Sequence, residues 1–352
     1  MRIMLVTDSL FAGEPGRGAT TTTKAIADRL IDLGHEVRFL APSPGLTKYK
    51  TSDVVRLNAL TKPGRQVNEA ITYWNPDALL VVTPGRLGRK ALKHSKIMGI
   101  PTVAIEQHAV SEAEVSYWKA KVADRADLLV VTSGWMADRL STAGVHAHVW
   151  TPGIDTNAFS PTLRDTHLHR KWSKDNSLVV VGFAGRLANR HNVRRLVELN
   201  DVPGIRPIIL GDGPQQPWLR QRLPKAKFTG ALHTGDLAVA LASLDVLVHP
   251  GEQETCCHTL REAAASGVPI VAPRAGGAID VVHHLETGLL YEPGRPGALT
   301  DAVAAAVADP QRALLGEHGR EVVGVRPWPT AVDELLAMFP VNGLTAARTH
   351  VA

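Results

Sequence analysis

Val246-Leu247-Val248-His249-Pro250-Gly251-Glu252-Gln253-Glu254-Thr255-Cys256-Cys257-His258-Thr259-Leu260-Arg261-Glu262-Ala263, continuing to Gly267-Val268-Pro269 and the apolar run ending at Ala272, is the stretch on which the fold turns. An apolar run without polar alternation ends at His249, a helical pattern follows, and Gly267-Val268-Pro269 breaks it before the next apolar run. A strand, a helix and a second strand, with both strands apolar throughout, point to a parallel sheet covered on both faces.

The same rhythm extends in both directions. Upstream, short apolar runs at 3–6, 36–40, 79–82, 102–105 and 128–131 alternate with helical patterns at 20–33, 89–98 and 136–143. A second series of runs occupies 178–183, 207–210, 246–249 and 269–272. Two such series predict an α/β chain of two doubly wound, Rossmann-like domains facing across a cleft, with ligands at the carboxyl ends of the strands. The expected domains are residues 1–150 and 151–328, followed by a C-terminal helix and tail at 329–352. The seam is placed between Trp150 and Asn176, where Thr151-Pro152-Gly153 breaks the pattern and 164–176 reads as polar and aperiodic. The end of the chain beyond Pro340 reads as a small, polar tail.

Length and composition agree with this reading. The 352 residues amount to about two domains. Hydrophobic residues at 44% and charged residues at 21% exclude wholesale disorder, collagen and coiled coil. Aromatics are 5%, so Ala, Val, Leu and Ile must build the core. A net charge of +5 over this length permits an anionic partner without demanding one, and nothing indicates nucleic acid. The two cysteines, Cys256 and Cys257, are adjacent, which excludes a disulfide framework and suits a reducing cytosol. No apolar run reaches the length of a membrane span, and residues 1–8 read as a buried strand rather than a secretory signal, so a cytoplasmic location is expected.

Several segments could carry chemistry. Gly13-Glu14-Pro15-Gly16-Arg17-Gly18-Ala19 follows the first strand and opens a helix, where glycines and free amides favour an anion. Its spacing matches neither the dinucleotide fingerprint nor the phosphate loop, and an ordinary strand-to-helix loop reads the same way. Glu254 and Glu262 are eight residues apart, slightly over two helical turns. That predicts Glu254 at the mouth of a helix and Glu262 deeper along a similar face, where each could accept paired hydroxyls. A solvated acidic face is the other reading of that pattern.

Other motifs surround this segment: Gly182-Phe183-Ala184-Gly185-Arg186-Leu187 with Arg190 and His191, Leu210-Gly211-Asp212-Gly213-Pro214, Phe228-Thr229-Gly230-Ala231-Leu232, Ala275-Gly276-Gly277-Ala278, and Thr287-Gly288-Leu289-Leu290. In this order and spacing the series resembles the family-4 retaining glycosyltransferases of the GT-B fold. It looks most like their actinobacterial GDP-mannose-dependent α-mannosyltransferases. The resemblance covers essentially the whole C-terminal half. The N-terminal half matches more loosely, through Gly18, through Leu33-Gly34-His35-Glu36-Val37, and through Pro152-Gly153-Ile154-Asp155, where Pro152 stands in place of the usual Asn.

What the resemblance implies is a hexosyltransferase using a nucleotide diphosphate sugar, GDP-mannose in preference to a UDP-sugar, with retention of configuration and no cofactor. It assigns Glu262 to the ribose hydroxyls and Glu254 to the transferred hexose. Backbone amides of Thr255, Cys256, Cys257 and His258 would help hold that hexose. Arg186 falls to the diphosphate, Leu232 to the nucleobase edge, and His108 to the donor sugar. At the family's usual lysine this chain carries His191, with Arg190 beside it, so one of the two must supply the cation. The pair Cys256-Cys257 stands where the family often has Phe-Gly.

Metal dependence is not expected. There is no Asp-x-Asp pair, and His283-His284 and His167-x-His169 lack zinc-pair spacing and read as solvated. In the basic stretch from Arg86 to Lys96, Arg89, Lys93 and Lys96 fall on one helical face, although Gly88 argues against a helix there. That face is either solvated or seated peripherally on an anionic membrane. The acceptor is left open among lipids, saccharides and other small molecules. The competing readings are a UDP-sugar-dependent transferase, a catalytically impaired nucleotide-sugar binder, and an epimerase or phosphorylase on the same scaffold.

Overall fold

The computed structural model describes residues 1–8, 18–58 and 60–339. The glycine-rich loop from Gly13 to Arg17 and the tail beyond Phe339 lie outside them. The chain divides into two compact units, Met1–Pro152 with the segment from Trp328 onward, and Gly153–Pro327.

In the first unit eight strands lie in the order Lys48–Tyr49, Ser52–Leu57, Glu36–Pro42, Arg2–Thr7, Ala78–Val82, Thr102–Glu106, Leu128–Val131 and His148–Val149. All neighbours run parallel except the first two. Ile3 and Leu5 enter a core with Phe39, Leu80 and Trp150, while Met4 and Val6 enter the core on the opposite face with Leu79 and Val81. Both faces are covered, so successive residues are apolar and the strand reads without alternation.

Six strands, all parallel, form the sheet of the second unit, in the order Lys227–Gly230, Ile205–Leu210, Val179–Ala184, Val246–Val248, Ile270–Pro273 and Gly288–Tyr291. Counted along the chain, that is third, second, first, fourth, fifth, sixth, the doubly wound order that leaves a ligand crevice where the direction of winding reverses. The reversal lies between Val179–Ala184 and Val246–Val248, whose carboxyl ends lead into Gly185-Arg186 and His249.

Several features depart from the sequence reading. Ser52–Leu57, Lys227–Gly230 and Gly288–Tyr291 are strands that apolar periodicity did not mark; Ser52–Leu57 is only half-buried and carries Asp53 and Arg56. The polar segment 164–176 holds a helix, Thr166–Ser173, capped by Asp165 and anchored by buried Trp172. His169 is not solvated there: its Nε2 lies 3.0 Å from both oxygens of Asp245, while His167 is exposed. Gly88 does lie within a helix, Arg86–Met98, and the position needs glycine because a Cβ there would stand 2.6 Å from Val81 Cγ1 and hold the helix off the sheet.

The helix Trp328–Ala337 belongs to the first unit instead of forming a separate appendage. It buries Ala331, Val332, Leu335 and Leu336, its Ala331 carbonyl accepts from the Trp150 indole at 2.6 Å, and Asp333 takes a bidentate pair from Arg29 at 2.7 Å.

Candidate active site

Two loops meet at the carboxyl ends of the central strands of the second unit. After Val179–Ala184 the backbone is locked to its neighbour: Gly185 N donates to Leu210 O at 2.9 Å and Leu187 N to Asp212 O at 2.8 Å. This holds Arg186 on the exposed side of the loop. A single turn, Asn189–His191, then leaves Arg190 exposed and turns His191 inward. A depression of about 480 Å³ lined by Asn189, Asn192, Arg194, Arg195 and Glu252 borders this turn.

Irregular backbone forms the second loop, from His249 to Cys257. Glu254 therefore precedes the helix His258–Ala265 by four residues and is not at the mouth of a continuous helix with Glu262, as the two-turn spacing implied. The break is at Cys257, whose left-handed backbone (φ +51°) cannot continue a right-handed helix. The turn Ala275-Gly276-Gly277 clamps this loop: Gly277 N donates to Glu254 O at 2.6 Å, and at Gly276 (φ +57°) a Cβ would stand 2.7 Å from Glu252 O and 2.8 Å from Glu254 O.

Two imidazoles converge on Glu254. His191 Nδ1 hydrogen-bonds Oε1, and His249 Nε2 stands 3.2 Å from the same oxygen. Burial pushes the Glu254 carboxyl up, but its contacts with His191 and His249 outweigh that and hold it well below the ordinary range. His249 is buried and stacks on Phe183, with ring centroids 5.8 Å apart. Motif reading did not assign it a role; its place at the end of a central strand was the available signal.

Glu262 has the opposite environment. It is half-buried, no side-chain hydrogen bond reaches it from the described residues, and burial pushes its carboxyl up to about 7. An acceptor so placed suits hydroxyl donors from a ligand. Cys256 and Cys257 are buried and form no disulfide; Cys256 Sγ lies 2.9 Å from His258 Nε2, and burial, with Glu254 nearby, raises the Cys257 thiol. No side chain caps the helix at Cys257, and the positive end of its dipole lies at this loop. Leu232 follows the strand Lys227–Gly230 and packs half-buried against the core.

Gly18 and His108 belong to the first unit. Gly18 begins the helix Gly18–Asp32, and His108 is an exposed residue just beyond the strand Thr102–Glu106. Sequence reasoning passed over Glu106, which is buried, accepts from the backbone of Gln107 and His108 at 3.0 Å and from the Trp118 indole at 2.9 Å, and is pushed by burial up to about 7.

His191, His249 and Glu254 also bring three metal-ligand atoms within 4.8 Å of one another. Both ring nitrogens of His191 are already engaged, Nδ1 with Glu254 and Nε2 with Arg190 Nε at 3.0 Å, so Arg190, His191 and Glu254 form a hydrogen-bonded chain with His249 beside it.

Two parallel-sheet units, one with paired carboxylates and clustered cations at its switch point, have the architecture of GT-B glycosyltransferases. The chain belongs to glycosyltransferase family 4. The family model described as Glycosyltransferase Family 4 matches residues 16–158, and that described as Glycosyl transferases group 1 matches residues 179–309. The chain is 34% identical to a GDP-mannose-dependent alpha-mannosyltransferase of Mycolicibacterium smegmatis, covering 96% of this chain and 97% of the relative. It is 33% identical to the enzyme of that name from Mycobacterium tuberculosis, over 96% of each chain. Among solved structures, Anabaena HepE in complex with UDP and glucose superposes with a TM-score of 0.78 at 20% identity, covering 95% of this chain and 98% of that one. Sucrose-phosphate synthase from Thermosynechococcus elongatus gives the same TM-score and identity, over 95% and 97%. No helix of the described residues is long and apolar enough to cross a membrane.

Proposed function

We propose that the protein transfers a mannosyl residue from GDP-mannose to an acceptor hydroxyl with retention of configuration. The observation that carries this reading is the contrast between two carboxylates: Glu254 is held anionic by two histidines, while Glu262 is half-buried without a side-chain partner among the described residues. Glu254 then accepts from hydroxyls of the hexose and Glu262 from the ribose diol. The identity of about one third to GDP-mannose-dependent enzymes over nearly the whole chain favours guanine and mannose over a UDP-sugar.

In this reading Arg186 and a cation of the turn Asn189–His191 neutralise the diphosphate as it leaves, helped by the dipole at the start of the helix His258–Ala265. The acceptor hydroxyl attacks from the face the diphosphate vacates, which keeps the anomeric configuration. Fixed cations and the helix dipole carry the leaving-group charge without a metal ion. Leu232 is assigned to the nucleobase, and Gly18 and His108, in the first unit, remain candidates on the resemblance alone.

A lipid, a saccharide or another small molecule serves as the acceptor. The helix Arg86–Met98 supports a lipid surface nearby: Leu87, Ala91 and Leu92 are buried, whereas Arg86, Lys90 and Lys93 are exposed with Ile97 and Met98. Arg89 is turned aside, toward Pro84 O and the Tyr117 ring.

Thermal shifts measured separately with GDP-mannose, UDP-glucose and UDP-N-acetylglucosamine test the donor. Stabilisation by GDP-mannose above the other two is expected. An equal or larger shift with a UDP-sugar would move the assignment to the UDP-dependent class.

A further inference from the structure

His191 stands where the family resemblance places a lysine, and the hydrogen bonds around it determine what replaces the charge. An arginine Nε–H can only donate. Arg190 Nε lies 3.0 Å from His191 Nε2, so that nitrogen presents a lone pair and the ring proton sits on Nδ1, which donates to Glu254 Oε1. His191 in this arrangement is a neutral imidazole with both nitrogens used. His249 Nε2 approaches the same oxygen, its ring fixed by burial and by stacking on Phe183. His191 thus hydrogen-bonds Oε1, His249 Nε2 stands 3.2 Å from the same oxygen without completing a hydrogen bond, and Oε2 takes none from the described residues.

We infer that Arg190, and not His191, supplies the fixed positive charge at the lysine position, while His191 and His249 are positioning residues that hold Glu254 by Oε1 and leave Oε2 to the donor hexose. This rests on the donor-site reading above and specifies how its charge is arranged. A doubly protonated His191 would turn an N–H toward Arg190 and lose that contact. A neutral connector keeps it, and the guanidinium remains at the exposed edge of the site, able to face a diphosphate.

The test has two arms. Protein labelled with 15N-histidine is examined by NMR near neutral pH without donor, the His191 signals being identified by their loss in His191→Asn. A protonated Nδ1 with an unprotonated Nε2 is expected; two protonated nitrogens would overturn the inference whatever the donor is. In the second arm, GDP release from GDP-mannose is followed without acceptor. Arg190→Ala should lower kcat about ten- to a hundredfold and Arg190→Lys should recover most of it. His191→Asn, which keeps an N–H toward Glu254 but cannot carry charge, should stay within about tenfold of the parent protein. Full activity in Arg190→Ala, or His191→Asn as damaged as His191→Ala, would show instead that the imidazole is the working cation. Failure of the parent protein to bind GDP-mannose would count against the donor reading and leave the NMR result to decide the tautomer.

Discussion

Glu262→Gln separates what the fold tolerates from what the ligand needs. The carboxyl lies on the helix His258–Ala265, and burial raises it from an ordinary 4.5 to about 7. That rise is equivalent to about 3 kcal/mol for ionising the group inside the fold. Below about pH 4.5 the group is protonated in folded and unfolded chains alike and costs nothing. Between there and pH 7 the unfolded chain ionises first, so stability falls as pH rises, and above 7 the whole cost is present. Glutamine keeps the shape without the charge. With some water reaching the half-buried group, the donor-free variant should be more stable than the parent at pH 8 by about 1–3 kcal/mol, a Tm gain of several degrees. The gain should shrink to nothing by about pH 4.5.

Donor binding should move the other way. A carboxylate accepts both hydroxyls of a ribose diol, and losing a charged acceptor costs about 1.5–3 kcal/mol, a ten- to hundredfold rise in Kd. Parent affinity for GDP-mannose should also weaken as pH drops through 7, because protonation competes with the diol, whereas the variant's affinity should be flat. Denaturation scans and titration calorimetry at pH 6, 7 and 8 read both effects. An unchanged Kd at pH 8 would remove Glu262 from the ribose site, and a stability gain that grew toward acid pH would refute the burial argument.

Three further outcomes are expected. Turnover of GDP-mannose should persist in excess EDTA; loss restored by manganese, magnesium or zinc would make His191, His249 and Glu254 a working metal site. Arg186→Ala should reduce turnover by about two to three orders of magnitude, as for removal of one preorganised donor from a developing anion, and a change under threefold in steady-state rate would remove it from the diphosphate site. Cys257→Val should cost about 2 kcal/mol or more in chemical denaturation, because a β-branched residue is strained at φ +51°, while Cys257→Gly should stay within about 1 kcal/mol of the parent. Equal stability of these two variants would show that the left-handed backbone stores no strain.

The fold was most readable where the physics is local and two-sided. Strands buried on both faces, such as Val179–Ala184 and Leu128–Val131, stand out as unbroken apolar runs. Half-buried Ser52–Leu57, by contrast, reads as loop. The helix Thr166–Ser173 is held by one buried tryptophan and the Asp165 cap, both local signals, and by contacts of His169 and Arg164 with Asp245, 76 and 81 residues away, that no short window contains. The return of Trp328–Ala337 to the first unit depends on Trp150 and Arg29, far away along the chain.

The site divides along the same line. Motif order places Arg186, His191, Glu254 and Glu262 in one unit because each follows a strand end or a helix start, positions that spacing can count. Spacing cannot show that the helix breaks at Cys257, so Glu254 is oriented by His191, His249 and the Gly276 turn and not by helical periodicity. Nor can it separate the neighbours Arg190 and His191 as candidate cations. Only the direction of a hydrogen bond does that: one side chain has no lone pair to offer and the other has one ring nitrogen to accept with. The same constraint sets the limits of substitution here. A lysine at 191 would put a second charge beside Arg190 and remove the acceptor that holds the guanidinium. A lysine at this position therefore loses the contact with Arg190, and the two positions should be non-additive in a double-mutant cycle.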